Sequence, residues 1–132
     1  MKLTPHPGPF RSSLGDRGER TACAFLKENG YEILEKNFKC KIGEIDLIAR
    51  RKGRLAFIEV KTRTSGQFGA PQEAVDLKKQ DKILKLSQWY LKEKKLGQVP
   101  VAFDVVAVLW REGQAPQMRL IADAFEKADK GY

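Results

Sequence analysis

Gly43-Glu44-Ile45-Asp46-Leu47-Ile48-Ala49-Arg50, then Arg51-Lys52-Gly53-Arg54, then Leu55-Ala56-Phe57-Ile58-Glu59-Val60-Lys61-Thr62 is a pair of β-branched and aromatic-rich runs around a Gly-containing turn. That pattern reads as an antiparallel hairpin. With Lys52 and Gly53 as the loop, Arg51 faces Arg54, and counting outward sets Asp46 opposite Glu59 and Glu44 opposite Lys61.

Side chains alternate along a strand, so Glu44, Asp46 and Ile48 are expected on one face with Phe57, Glu59 and Lys61. Ile45, Leu47, Ala49, Ile58 and Val60 are expected on the other. Directly opposed residues have Cβ atoms about 5 Å apart, where like charges repel. Asp46 and Glu59 therefore need a neutralising partner. Two carboxylates with a backbone carbonyl and waters make the oxygen shell that Mg²⁺ prefers. Lys61, two residues beyond Glu59, would point at the same spot and could orient a water or steady charge on a phosphate. Against this stands the ordinary reading of a D/E/K trio on a strand, a solvated face or a salt bridge.

Asp46, twelve residues, then Glu59-Val60-Lys61 resembles the D…(D/E)xK signature of the PD-(D/E)xK nuclease superfamily. More closely, Gly43-Glu44-Ile45-Asp46-Leu47-Ile48 with Ile58-Glu59-Val60-Lys61-Thr62-Arg63 is similar to the YraN-like family of bacterial proteins related to Holliday junction resolvases. The likeness runs from about Leu14 to Phe125. It implies an α/β protein with a restriction endonuclease-like αβββαβ core.

The chain has 132 residues, 42% apolar and 32% charged, which suits one globular domain. Its 25 Lys and Arg against 17 Asp and Glu give a formal charge of +8, which favours a polyanionic partner. Cys23 and Cys40 lack C-x-x-C spacing or histidine company, so neither zinc nor a disulfide framework is indicated. His6 is the only histidine, which excludes a Ser-His-Asp or Cys-His triad and an H-E-x-x-H site. No apolar run is long enough to span a membrane and no signal-peptide pattern opens the chain, so a cytoplasmic protein is expected.

Residues 1–12, with Pro5, Pro7 and Pro9, read as a flexible arm; 13–126 as the single domain; 127–132 as a frayed tail. Ser13 can cap a helix that runs to Glu28 and stops at Asn29-Gly30, its stripe carrying Leu14, Ala22, Cys23, Phe25 and Leu26. Glu19 falls on or beside that stripe. Either it reaches water at the stripe's edge, or, as the resemblance implies for a glutamate after Gly15-x-x-Gly18, it points over the sheet toward a metal.

Tyr31 to Asn37 reads as a first strand near an edge, before the basic turn Lys39-Cys40-Lys41. After the hairpin, Arg63 to Ala70 is a glycine-containing loop able to fold over a bound strand of nucleic acid. Gln72 through Lys95 is helix former, with a break near Asp76, which could cap a second segment. Its stripe is Ile83, Leu84, Ser87, Tyr90 and Leu91, and from Leu77 to Lys95 seven lysines stand against Asp81 and Glu93. A solvated face would explain them. On the same sheet as the candidate site, Lys78, Lys79 and Lys82 are also candidate phosphate contacts, as is Arg63. Lys79-Gln80 resembles the family's Lys-Gln pair, and Gln80 is expected inward, supporting the site. Trp89 and Tyr90 read as packing.

Val99 to Trp110 is apolar apart from Asp104, as in a strand covered on both faces. Asp104 reads as structural, with a basic side chain as its expected partner. Met118 to Ala122 makes a last strand. A helix between the third and fourth strands implies that they are parallel, in a mixed sheet with helices on both faces.

Two functions follow. The first is a Mg²⁺- or Mn²⁺-dependent endonuclease on DNA, branched DNA included: Asp46, Glu59 and the Val60 carbonyl hold the metal, Lys61 positions the attacking water, and Glu19 binds metal directly or through water. Glu44 would set the orientation of Lys61. The second is a nucleic-acid-binding module of the same fold with little or no cleavage. Junction-cutting relatives imply a homodimer.

Overall fold

A computed structural model describes residues 14–64 and 76–124. The arm, the Ser13 cap, the loop from Ser65, the helix start at Gln72 and the tail lie outside these residues. The order is α1 (Leu14–Glu28), β1 (Glu32–Lys39), β2 (Glu44–Arg51), β3 (Arg54–Arg63), α2 (Leu77–Glu93), β4 (Val101–Leu109) and β5 (Gln117–Ile121). The five strands form one mixed sheet in the order β1-β2-β3-β4-β5, with β3 and β4 parallel and all other neighbours antiparallel. This is the α/β arrangement expected of a restriction endonuclease-like core.

The ends of both helices follow local chemistry. Gly30, at φ +90°, closes α1. The Tyr31 amide donates to the Leu26 carbonyl at 3.0 Å and the Gly30 amide to Lys27 at 3.2 Å, a Schellman stop. Asp76 caps α2 as the sequence suggests, accepting from the Lys79 amide at 2.8 Å.

The two helices cover opposite faces. Ala22, Cys23 and Leu26 of α1 pack with Leu47, Ala49, Ala56, Ile58, Val106 and Val108. Ile83, Leu86 and Tyr90 of α2 pack with Ile48, Leu55, Phe57, Phe103 and Val105. Leu86, absent from the expected stripe, is buried, whereas Leu84 and Leu91 are only partly so. Tyr90 meets Phe38 and Phe57 edge-on, and Trp89 tilts against Phe38, so both aromatics pack.

Lys52 and Gly53 both have positive φ, 53° and 75°, the conformation of a two-residue I′ turn. That turn fixes the β2/β3 register, Arg51 facing Arg54 and Leu47 facing Ile58.

One expectation of strict alternation fails. Ile45 packs with Ile48 on the α2 side, while Leu47 between them packs on the α1 side. Its partner Phe38 in β1 also lies on the α2 side. The reversal falls at Asn37, whose φ of 52° is left-handed, and at Asp46 beside it. Phe38 thus follows a left-handed residue in its own strand, while on β2 Asp46 departs from the alternation of its neighbours and accepts from the Val60 amide.

Asp104 is buried as expected, but its partners are not basic. The Tyr31 hydroxyl donates to Oδ2 at 2.9 Å and the Asp123 amide to Oδ1 at 2.8 Å. Arg54 binds Asp123 instead, at 2.7 Å, one residue removed from the buried acid. Two neutral donors satisfy the carboxyl without burying a second charge.

Candidate active site at the fork of β2 and β3

The β2/β3 ladder runs from the turn to Leu47 and Ile58 and ends there. β3 continues beside β4 as far as Arg63 and Leu109. The two strands thus part at the residues that carry acids, so the expected facing pairs Asp46/Glu59 and Glu44/Lys61 do not form in the ladder. Asp46 bridges the fork: its Oδ2 accepts from the Val60 amide at 2.8 Å, a donor that β2 no longer satisfies.

Glu59 is 8% exposed. Burial first, and then the charge of Asp46, raises its pKa above the ordinary carboxylate value, while Lys79 and Lys61 pull the other way. Lys79 Nζ stands 3.7 Å and Lys61 Nζ 3.9 Å from Glu59 Oε2. Lys79 thus reaches the candidate site itself, beyond the phosphate role suggested by its lysine-rich helix.

Glu19 comes from α1. Gly18 before it lies so close to β3 that an added Cβ would run into Thr62 Oγ1. This contact brings α1 against the strand that carries Glu59 and Lys61. The Glu19 carboxyl is pushed up to about 7, by burial first, then by the charge of Asp46 and a hydrogen bond given to it. A hydrogen bond from Asn37 opposes the shift. Asn37 was missed by sequence reasoning. An Asn within a strand is a signal only for a left-handed kink.

The three acids therefore sense one another through Asp46, which stands between the other two electrostatically. Among the described residues, no three His, Cys, Asp or Glu side chains already converge closely enough to hold a metal. The donor chemistry still fits Mg²⁺ or Mn²⁺, which needs only one or two protein carboxylates and keeps waters. Two acids whose ionisation is disfavoured by burial and by a shared neighbour are groups that a divalent cation would relieve.

The remaining candidates are dispersed. Glu44 is exposed and meets Lys39 at 3.9 Å, and Arg63 is exposed at the end of β3. Lys78 is exposed, and Lys82 lines a groove with Lys79 between α2 and the turn after β1. Gln80 is half-buried. No helix among the described residues is long and apolar enough to cross a membrane.

Residues 18–108 match the model of "Uncharacterised protein family UPF0102". A UPF0102 protein of Caldanaerobacter subterraneus subsp. tengcongensis is 52% identical over 98 residues, covering 74% of this chain and 80% of that protein. UPF0102 proteins of Geotalea uraniireducens and Trichlorobacter lovleyi are 46% and 42% identical, covering 88% and 94% of this chain and 91% and 98% of theirs. The chain belongs to the UPF0102 (YraN) family, a PD-(D/E)xK nuclease-like group related to Holliday junction resolvases.

Proposed function

We propose that the protein is a Mg²⁺- or Mn²⁺-dependent endonuclease that hydrolyses phosphodiester bonds in DNA, branched DNA included. The observation that carries this reading is the fork: Asp46, held by the Val60 amide, and Glu59, flanked by Lys61 and Lys79, lie where β2 leaves β3, and the charge of Asp46 acts on Glu59. Asp46, Glu59 and the Val60 carbonyl would hold the cation, with Glu19 joining directly or through water. A bound cation would supply charge stabilisation to the phosphate oxygens. Lys61 orients the attacking water and offsets the charge that develops on the phosphate. Lys79, on the other helix, offers a second ammonium to that charge. The net charge of +8 favours the polyanionic substrate.

The two lysines beside Glu59 also favour a second reading, a nucleic-acid-binding module whose acid is neutralised without metal. Plasmid, single-stranded and four-way-junction DNA incubated with Mg²⁺, Mn²⁺ or EDTA separate the two, with Asp46→Ala as control. Metal-dependent cutting lost in Asp46→Ala supports the nuclease. DNA binding without cutting supports the binding module, and cutting that survives Asp46→Ala belongs to a contaminant.

A further inference from the structure

A groove of about 360 Å³ opens beside the fork, between the Cys40–Gly43 turn and α2. Lys39, Lys79 and Lys82 line it against one acid, Glu44, and Leu86 contributes to its wall. Two hydrogen bonds close the turn: the Cys40 amide donates to the Gly43 carbonyl at 2.9 Å and the Gly43 amide to the Cys40 carbonyl at 3.2 Å. Lys79 belongs to both places: it lines the groove and its Nζ stands 3.7 Å from Glu59. Lys39 and Glu44 are only loosely paired, 3.9 Å apart with both side chains mostly exposed, so an incoming anion can displace that contact at little cost.

We infer that this groove holds the DNA backbone next to the bond being cut, with Lys39 and Lys82 binding the neighbouring phosphates and Lys79 linking them to Glu59. The inference rests on the nuclease reading and adds a path for the strand. Three ammonium groups, one at the end of β1 and two on the packed helix α2, suit phosphate, which Lys binds as a point charge. The apolar Leu86 suits the sugar between phosphates. Lys78, on the same helix, does not line the groove and so lies off this path.

The test uses binding in EDTA, where no cutting occurs, followed by fluorescence anisotropy of a labelled duplex across a salt series. Lys39→Ala/Lys82→Ala removes two contacts and should flatten the slope of log K against log salt by about 1.8, at about 0.9 per phosphate. Lys27→Ala/Lys92→Ala removes the same charge from exposed positions elsewhere and should flatten it far less. Cys40, half-buried in the groove, gives a second readout, since Cys23 is buried. Duplex DNA should slow alkylation of Cys40, with Cys40→Ser identifying the labelled thiol. Equal slopes for the two double variants, or Cys40 alkylated as fast with DNA as without, would overturn the groove while leaving the nuclease reading in place. Failure of the wild-type protein to bind DNA in EDTA and also with Ca²⁺, which fills the cation site without supporting cutting, would overturn both.

Discussion

Glu19 on α1 lies beside Asp46 on β2: burial first, and then the neighbouring Asp46 carboxylate, push the Glu19 carboxyl up to about 7 from an ordinary 4.5. A group raised in the folded state stabilises the fold while both states are protonated, and that contribution is lost as pH rises through the folded value. In EDTA, stability should therefore fall between about pH 4.5 and pH 7, and the raised Glu59 acts in the same direction.

Glu19→Gln fixes the neutral form. Because Glu19 is only partly buried, solvent screening limits the gain to about 1 kcal/mol above neutral pH. This corresponds to a Tm rise of about 3–5 °C near pH 8, with little change near pH 5. Thermal unfolding across the pH range checks it. A variant that melts with the same pH profile as the wild type would show that the two carboxyls do not interact.

Gly18→Ala should be costly, because the added methyl meets Thr62 on a packed strand. Overpacking of this kind costs about 1–3 kcal/mol. Gly18→Ala/Thr62→Ala should recover much of the loss, since Thr62→Ala removes the atoms that the methyl would strike. Urea denaturation of the two single variants and the double variant measures the coupling. Additive losses would mean that Gly18 acts through helix flexibility and not through its contact with β3.

Tyr31→Phe leaves Asp104 Oδ2, in a residue 3% exposed, without its hydroxyl donor. An unsatisfied buried acceptor costs about 1–3 kcal/mol. The carboxyl is already raised by burial, and the Tyr31 and Asp123 hydrogen bonds hold it down. Removing one should raise it further, so the variant should lose more stability at neutral than at acidic pH. Equal losses at both would mean that the hydroxyl is replaced by water.

The hairpin was legible because Lys52-Gly53 is a local signal: positive φ at two successive residues sets the register without help from the rest of the fold. The order of elements and the parallel β3/β4 pair followed from hydrophobic patterning and the crossover helix. The candidate site was legible only in part. Alternation assumes an unbroken strand, and β2 breaks it at Asp46, between Ile45 on one face and Leu47 on the other. Lys79 was visible as one of seven lysines, but its approach to Glu59 depends on how α2 docks through Ile83, Leu86 and Tyr90. Asp104 found a tyrosine from a segment 73 residues away, a long-range pairing that no local pattern encodes.

Titration of Mn²⁺ or Mg²⁺ into the protein, followed by calorimetry in buffers of different ionisation enthalpy, addresses the acids most directly. The expected result is saturable binding with proton release near neutral pH, lost in Asp46→Ala and, for the proton release, in Glu19→Gln. Absence of saturable heat, or binding unchanged by Asp46→Ala and Glu59→Ala together, would contradict a metal centre at the fork.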